Sequence, residues 1–63
     1  MPKLTIQQIN ALYLKWSLLP IETRVPFNDF KETAHPMIGG DGAVVVYWAG
    51  MYLAIETNGH VHS

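Results

Sequence analysis

The two histidines near the end of the chain are the residues whose spacing most suggests chemistry. His60 and His62 are two positions apart, and side chains two apart on a β-strand project from the same face. Two such imidazoles can chelate a metal ion, and His35 would supply a third ligand from the segment before Pro36. Chain termini usually fray, however, so we favour a solvated His pair and expect no metal or other cofactor.

General acid–base catalysis would have to draw on one of five carboxylates: Glu22, Asp29, Glu32, Asp41 and Glu56. Helix capping explains the spacing of Asp29 and Glu32 without catalysis. Glu56 lies within an otherwise apolar segment, and we interpret it as a solvent-facing residue that discourages pairing at a sheet edge. The carboxylates therefore predict no catalytic pair.

Nucleophilic and phosphate-binding chemistry are equally unsupported. The chain contains no cysteine, and no acidic residue that would orient a catalytic base is placed by sequence near Ser17 or Ser63. The glycine-rich segment 39–42 lacks the Lys and the Ser or Thr of a phosphate-binding loop and precedes an apolar run, so it predicts a turn. We expect a protein that is not an enzyme.

The charge balance argues against nucleic-acid and membrane partners. Tyr47, Trp48 and Tyr52 are aromatic residues of the kind that stack on bases, but such platforms need a basic groove. The chain has four Lys and Arg against five Asp and Glu. Polar residues also interrupt the apolar N-terminal stretch too often for a signal peptide or membrane anchor. With no cysteine, these features predict a cytoplasmic location.

The N-terminal segment predicts an amphipathic helix. Thr5 and Gln8 have the spacing of a capping box, and Pro20 ends the pattern, so the helix should run from about Ile6 to Leu18. A rotation of about 100° per residue gives a wide core-facing stripe: Ile6, Ile9, Leu12, Tyr13, Trp16 and Leu19. A second, smaller apolar patch lies on the other side: Ala11, Leu14 and Leu18.

The middle of the chain carries weaker signals. Asn28 or Asp29 would cap a single helical turn, with Phe27 and Phe30 holding this segment to the core. Residues 37–38 then predict a short extended piece before the glycine-rich turn.

The C-terminal third predicts a β-hairpin. Residues 43–48 and 51–57 are rich in β-branched and aromatic side chains, joined at Ala49-Gly50 by a three-residue loop with a bulge or, in the register we favour, by a two-residue turn. That register places three pairs on one face: Trp48 with Met51, Val46 with Leu53, and Val44 with Ile55. It places three others on the opposite face: Tyr47 with Tyr52, Val45 with Ala54, and Ala43 with Glu56.

A second turn at Asn58-Gly59 leaves residues 60–63 for a short third strand. Simple two-residue register would turn His60 and His62 to the same side as Leu53 and Ile55. The expected architecture is therefore α+β: one domain over residues 1–63, with the helix packed on a small antiparallel sheet of two or three strands.

The expected function follows from size and surface. A chain of 63 residues buries only about 60% of its unfolded surface and usually needs further stabilisation. We expect a small protein-binding module that self-associates as a homodimer and inhibits or regulates a larger protein, as mobile-element accessory proteins do. Its contact residues would be Leu14, Leu18, Tyr47 and Tyr52. The alternatives are a structural subunit of a symmetric assembly, and a metal-binding protein or metal-dependent enzyme using His35, His60 and His62.

Overall fold

A computed structural model describes residues 3–62 as two layers, helices on one side and an antiparallel sheet on the other. Helix α1 spans Ile6–Ser17 and α2 spans Phe27–Lys31, with a turn of 3-10 helix, Ile21–Thr23, between them. The strands are β1 (His35–Pro36), β2 (Val44–Trp48), β3 (Met51–Ile55) and β4 (Val61–His62), in the order β1-β2-β3-β4. The α+β class is confirmed, but the sheet has four strands rather than two or three.

The predicted start of α1 is confirmed by its hydrogen bonds. The Thr5 hydroxyl accepts the backbone N–H of Gln8 at 3.0 Å, and Gln8 Oε1 accepts the backbone N–H of Thr5 at 2.9 Å. Both donors belong to the first turn, where a helix has no internal acceptors for its amides. The helix ends at Ser17, one residue before the predicted Leu18, which forms the cap.

The buried face of α1 is narrower than the predicted stripe. Leu12 and Leu19 are buried, but Ile6 and Tyr13 are 74% and 52% exposed, and Ala11 is buried instead. Gln8 accounts for this orientation of the helix. Its side chain is completely buried and bonds to the sheet layer, so α1 packs with its Gln8 side toward the sheet. The core that results joins α1 and α2 to the sheet: Ala11, Leu12, Leu19, Phe30, Ala34, Val44, Val46, Leu53 and Ile55.

The segment after α1 is held by side chains that bond to backbone carbonyls. Arg24 donates from one terminal nitrogen to the carbonyls of Ser17 and Leu19, both at 2.9 Å, and stacks on Trp16. The Trp16 indole donates to the Val25 carbonyl at 2.6 Å. The two Arg24 bonds satisfy carbonyls at the end of α1 that have no helical partners, and the Trp16 bond attaches the helix to the segment before α2.

Helix α2 confirms the predicted turn but not its cap. Its N-cap is Pro26, which has no side-chain hydrogen bond, and Asn28 and Asp29 lie exposed inside the first turn. Phe30 is fully buried and Phe27 packs at the margin of the core, as predicted. The cap prediction was wrong because Pro26 already fixes the entry into the helix.

The first strand begins two residues earlier than the predicted extended piece at 37–38. His35 pairs with Val45 and Pro36 with Val44, and the amide of Met37 donates to the Ala43 carbonyl at 2.9 Å. The glycine-rich segment that follows is a turn, as predicted.

The central hairpin has the predicted register. Tyr47 pairs with Tyr52, and the rest of the β2–β3 ladder follows the expected order. Ala49 and Gly50 have φ values of 49° and 78°, the left-handed conformation that a two-residue hairpin turn of type I′ requires. The hairpin face turned toward the helices contributes four buried residues to the core: Val44, Val46, Leu53 and Ile55.

The β3–β4 connection differs from the predicted simple register. Ala54 pairs with His62 and Ile55 with Val61, so the loop contains three residues, 57–59, rather than two. Gly59 takes a φ of 89°, and its amide donates to the Glu56 carbonyl at 2.8 Å. Since side chains alternate along a strand, this one-residue shift turns both histidines to the face opposite Leu53 and Ile55.

None of the helices within residues 3–62 has the length and apolar character needed to span a bilayer.

Candidate functional site

The sheet surface turned away from the helices is the candidate site, and we call it the outer face. The pairing register assigns to it the outward residues of all four strands and of the β3–β4 loop: His35, Val45, Tyr47, Tyr52, Ala54, Glu56, His60 and His62. The opposite face packs against α1 and α2. The outer face is therefore a sheet surface without a helix over it in the described part of the chain.

An aromatic pair occupies the hairpin end of the outer face. The rings of Tyr47 and Tyr52 meet edge to face with centroids 5.0 Å apart, a favourable aromatic geometry. They remain 65% and 43% exposed. Residues 47–52 line an apolar depression of about 430 Å³ around the turn. A cross-strand pair holds these rings in place, so they present a pre-ordered apolar surface.

The other end of the outer face carries a cluster of ionisable side chains. His62 Nε2 lies 2.5 Å from Glu56 Oε2, and the rings of His60 and His62 have centroids 4.5 Å apart. The hydrogen bond from His62 lowers the pKa of the Glu56 carboxyl; partial desolvation opposes this shift, and the nearby charges of His62 and His60 reinforce it. Glu56 is thus held as an anion beside two imidazoles.

The alternative three-histidine site is not formed by the described residues. His35 lies on β1, at the opposite edge of the sheet from β4. It shares one row with Val45, Ala54 and His62, and three strand spacings separate its backbone from that of His62, about 14 Å. Glu56, which sequence reasoning had assigned only to solvent, takes the place of His35 in the cluster.

The four predicted contact residues lie on two separate surfaces. Tyr47 and Tyr52 lie on the outer face, whereas Leu14 on α1 and the cap residue Leu18 are 65% and 78% exposed. Ile21, just beyond the helix, is 77% exposed. The helix layer therefore has its own apolar surface, on the other side of the domain from the tyrosines.

A second pocket, of about 280 Å³, lies beside the ionisable cluster. Its lining includes the small residues Ala43 and Ala54, with Met37 and the glycine-rich turn on one side and Glu56 and His62 on the other. The remaining carboxylates, Glu22, Asp29, Glu32 and Asp41, are exposed and belong to no His or carboxylate cluster found among residues 3–62.

Sequence reasoning missed two residues of importance. Gln8 was assigned only to helix capping, yet its side-chain amide donates to the Gly42 and Ile55 carbonyls at 3.0 and 3.3 Å. Glu56 was not linked to the histidines, although a carboxylate four residues before a His-x-His pair is the available signal. This signal is informative only if the loop between Glu56 and His60 is known to contain three residues, because that length places the two side chains on the same face.

Comparisons of the chain with protein-family models, with curated proteins and with solved structures find no match.

Proposed function

We propose that this protein is a small binding module that pairs with a second copy of itself through the outer face and engages a larger protein through α1. The observation that carries the proposal is the exposed Tyr47–Tyr52 pair on a sheet face that no described helix covers. Tyrosine is among the residues most enriched at interface centres, since it buries a large apolar area at a small entropic cost.

The occupant we assign to the outer face is a second copy, and its charge supports this choice. None of the outward strand residues in the described chain is Lys or Arg, and Glu56 is already paired with His62. Two copies therefore face one another without a surplus of like charge, which would otherwise cost several kcal/mol (~2–4). The same lack of Lys and Arg disfavours nucleic acid on this aromatic face.

The size of the molecule is consistent with such a dimer. The accessible surface of the monomer is 4210 Å², and a stable interface buries about 800 Å² of each partner. An interface of that size takes about a fifth of the monomer surface. Two antiparallel sheets packed face to face at about 10 Å form a common interface of this kind.

The surface on α1 is the one we assign to the larger partner. Leu14 and Leu18 are one helical turn apart and mostly exposed, a spacing with which amphipathic helices insert into an apolar groove. Pairing through the sheets leaves this surface free on both copies. A dimer of this form presents two identical contacts, which raises the affinity for a partner that carries two sites.

The experiment that tests self-association is solution mass by light scattering over a concentration series. Tyr47→Glu places a charge at the centre of the outer face, and we expect it to weaken the dimer by at least about 30-fold. Leu14→Glu introduces the same charge on α1 and serves as the matched control. It should leave the dimer intact.

Two results would contradict this assignment: a wild-type protein that stays monomeric at the highest attainable concentration, or a dimer that Leu14→Glu dissociates and Tyr47→Glu does not. The regulatory contact is tested separately by capture from the native host. The captured protein must be lost with Leu18→Glu and retained with Ile6→Glu, which alters another exposed position of the same helix.

A further inference from the structure

The ionisable cluster at the far end of the outer face has the composition of a metal site. We propose that Glu56, His60 and His62 bind one divalent transition-metal ion of the zinc class. The site takes all three ligands from one chain, so it does not require the dimer, and the cluster lies at the end of β3 away from Tyr52 and next to the edge strand β4. It also replaces the three-histidine site that the sequence suggested.

The geometry of the three side chains supports coordination. One ligand atom from each residue lies within 4.8 Å of the others. Zinc bonds of about 2.0–2.2 Å in a tetrahedral arrangement place ligand atoms about 3.3 Å apart. The side chains are exposed, so small changes of rotamer close the remaining distance without disturbing the core.

The backbone that carries the ligands is already fixed. The amide of Glu56 donates to the His60 carbonyl at 2.9 Å, and the amide of His60 donates to Asn58 Oδ1 at 2.9 Å. The Thr5 hydroxyl donates to the Thr57 carbonyl at 2.6 Å, which ties the loop to the start of α1. A site on a rigid hairpin loses little backbone entropy when the ion binds.

The donor set selects the ion. Two imidazoles and one carboxylate suit zinc and its neighbours in the transition series, whereas Mg²⁺ and Ca²⁺ prefer oxygen ligands alone. Three protein ligands leave one tetrahedral position for water or an exogenous ligand. Glu56 and His62 also line the 280 Å³ pocket over Ala43 and Ala54, so an added ligand has room beside the ion.

The test is isothermal titration of the protein, prepared without a histidine tag, with ZnCl₂ in a buffer that does not chelate metals. We expect one ion per chain. Glu56→Gln, His60→Asn and His62→Asn should each weaken binding by at least about tenfold. His35→Asn is the matched control, since it removes an exposed histidine from the other edge of the same face. It should change the Kd less than about twofold.

A second measurement, the Tm with and without metal, distinguishes loss of the metal site from misfolding of a variant. Binding to the native state alone raises the Tm, so zinc should raise the Tm of the wild type and of His35→Asn but not of His62→Asn, with MgCl₂ inactive in all three. Absence of saturable binding by the wild type would overturn the site, as would equal weakening by His35→Asn. Tyr47→Glu should bind zinc normally; its loss of binding would instead place the ion between two copies.

Discussion

The side-chain amide of Gln8 donates to the backbone carbonyl of Ile55 at 3.3 Å, inside the core, and so joins α1 to β3. The same nitrogen donates to the Gly42 carbonyl at 3.0 Å, while Gln8 Oε1 accepts the amide of Thr5. One side chain therefore caps the helix and attaches it to the sheet. A completely buried polar residue is tolerated here because its bonds are made.

Gln8→Ala should destabilise the fold by about 2–4 kcal/mol, since it removes the side-chain partner of the Ile55 and Gly42 carbonyls and of the Thr5 amide and opens a cavity. Gln8→Glu should be at least as harmful at neutral pH, because a carboxylate would face two carbonyl oxygens. Urea denaturation followed by circular dichroism measures both. The exposed neighbour gives the control: Gln7→Ala should shift stability by less than about 0.5 kcal/mol. Equal losses of stability at the two positions would refute the role of Gln8 in attaching α1 to the sheet.

Gly59 should tolerate substitution less well than Gly39, another glycine with positive φ. Its φ is 89°, and an added Cβ would lie 2.9 Å from the Gln7 carbonyl oxygen. Gly59→Ala should cost about 2 kcal/mol or more, whereas Gly39→Ala should cost about 1 kcal/mol. Gly39 has a φ of 74°, and a Cβ added at this position would have no other atom within 4 Å. Chemical denaturation compares the pair, and a cost at Gly59 no greater than at Gly39 would argue against the close contact.

Arg24 should contribute to stability through the end of α1. Its bonds to the Ser17 and Leu19 carbonyls satisfy acceptors at the negative end of the helix dipole. Arg24→Met keeps the apolar stem but loses both bonds, and we expect a loss of about 1–3 kcal/mol. Lys31→Met, which removes a cation 6.0 Å from the Phe27 ring centroid, should stay within about 0.5 kcal/mol. Thermal unfolding of both variants distinguishes the two roles.

The turn between β2 and β3 does not contain the residue pair that is most stable in its conformation. Ala49 has a φ of 49°, which costs an alanine more than an asparagine, and Asn-Gly is the preferred pair for this turn type. Ala49→Asn should stabilise the protein by about 0.5–1 kcal/mol. Ala49→Val should destabilise it, because β-branched residues avoid positive φ. A stabilising Val would contradict the left-handed turn.

The ion pair on the outer face predicts a small pH dependence of stability in the metal-free protein. The hydrogen bond from His62 lowers the pKa of Glu56 below its usual 4.5, so the folded state binds this proton less readily than the unfolded state. The stabilisation is therefore present above about pH 4.5 and is lost as the pH falls through the folded pKa. Glu56→Gln should remove this part of the acid dependence, measured by denaturation in the presence of a chelator. If the free energy of unfolding fell identically with decreasing pH in both proteins, the ion pair would be excluded.

Much of this fold follows from local sequence signals. Thr5 and Gln8 determine where α1 begins because a capping box satisfies its own amides within four residues. Alternating β-branched and aromatic residues around Ala49-Gly50 favour the central register, because a two-residue turn pairs them so that a single apolar face is buried. The ladder and the left-handed φ values of Ala49 and Gly50 decide for this turn over a bulged loop. The tyrosine pair on the outer face follows directly from that register.

Tertiary structure decided the features that depend on contacts distant in sequence. Gln8 is buried because α1 docks on carbonyls 34 and 47 residues away, which no helical periodicity encodes. His35 and His62 lie at opposite edges because β1 pairs with β2 and β4 with β3. The Glu56 cluster exists because the β3–β4 loop holds three residues, anchored by Gly59 and by the bond from Thr5 to Thr57. A shift of one residue reverses every side chain of a strand, so local pattern alone was not sufficient to place the histidines.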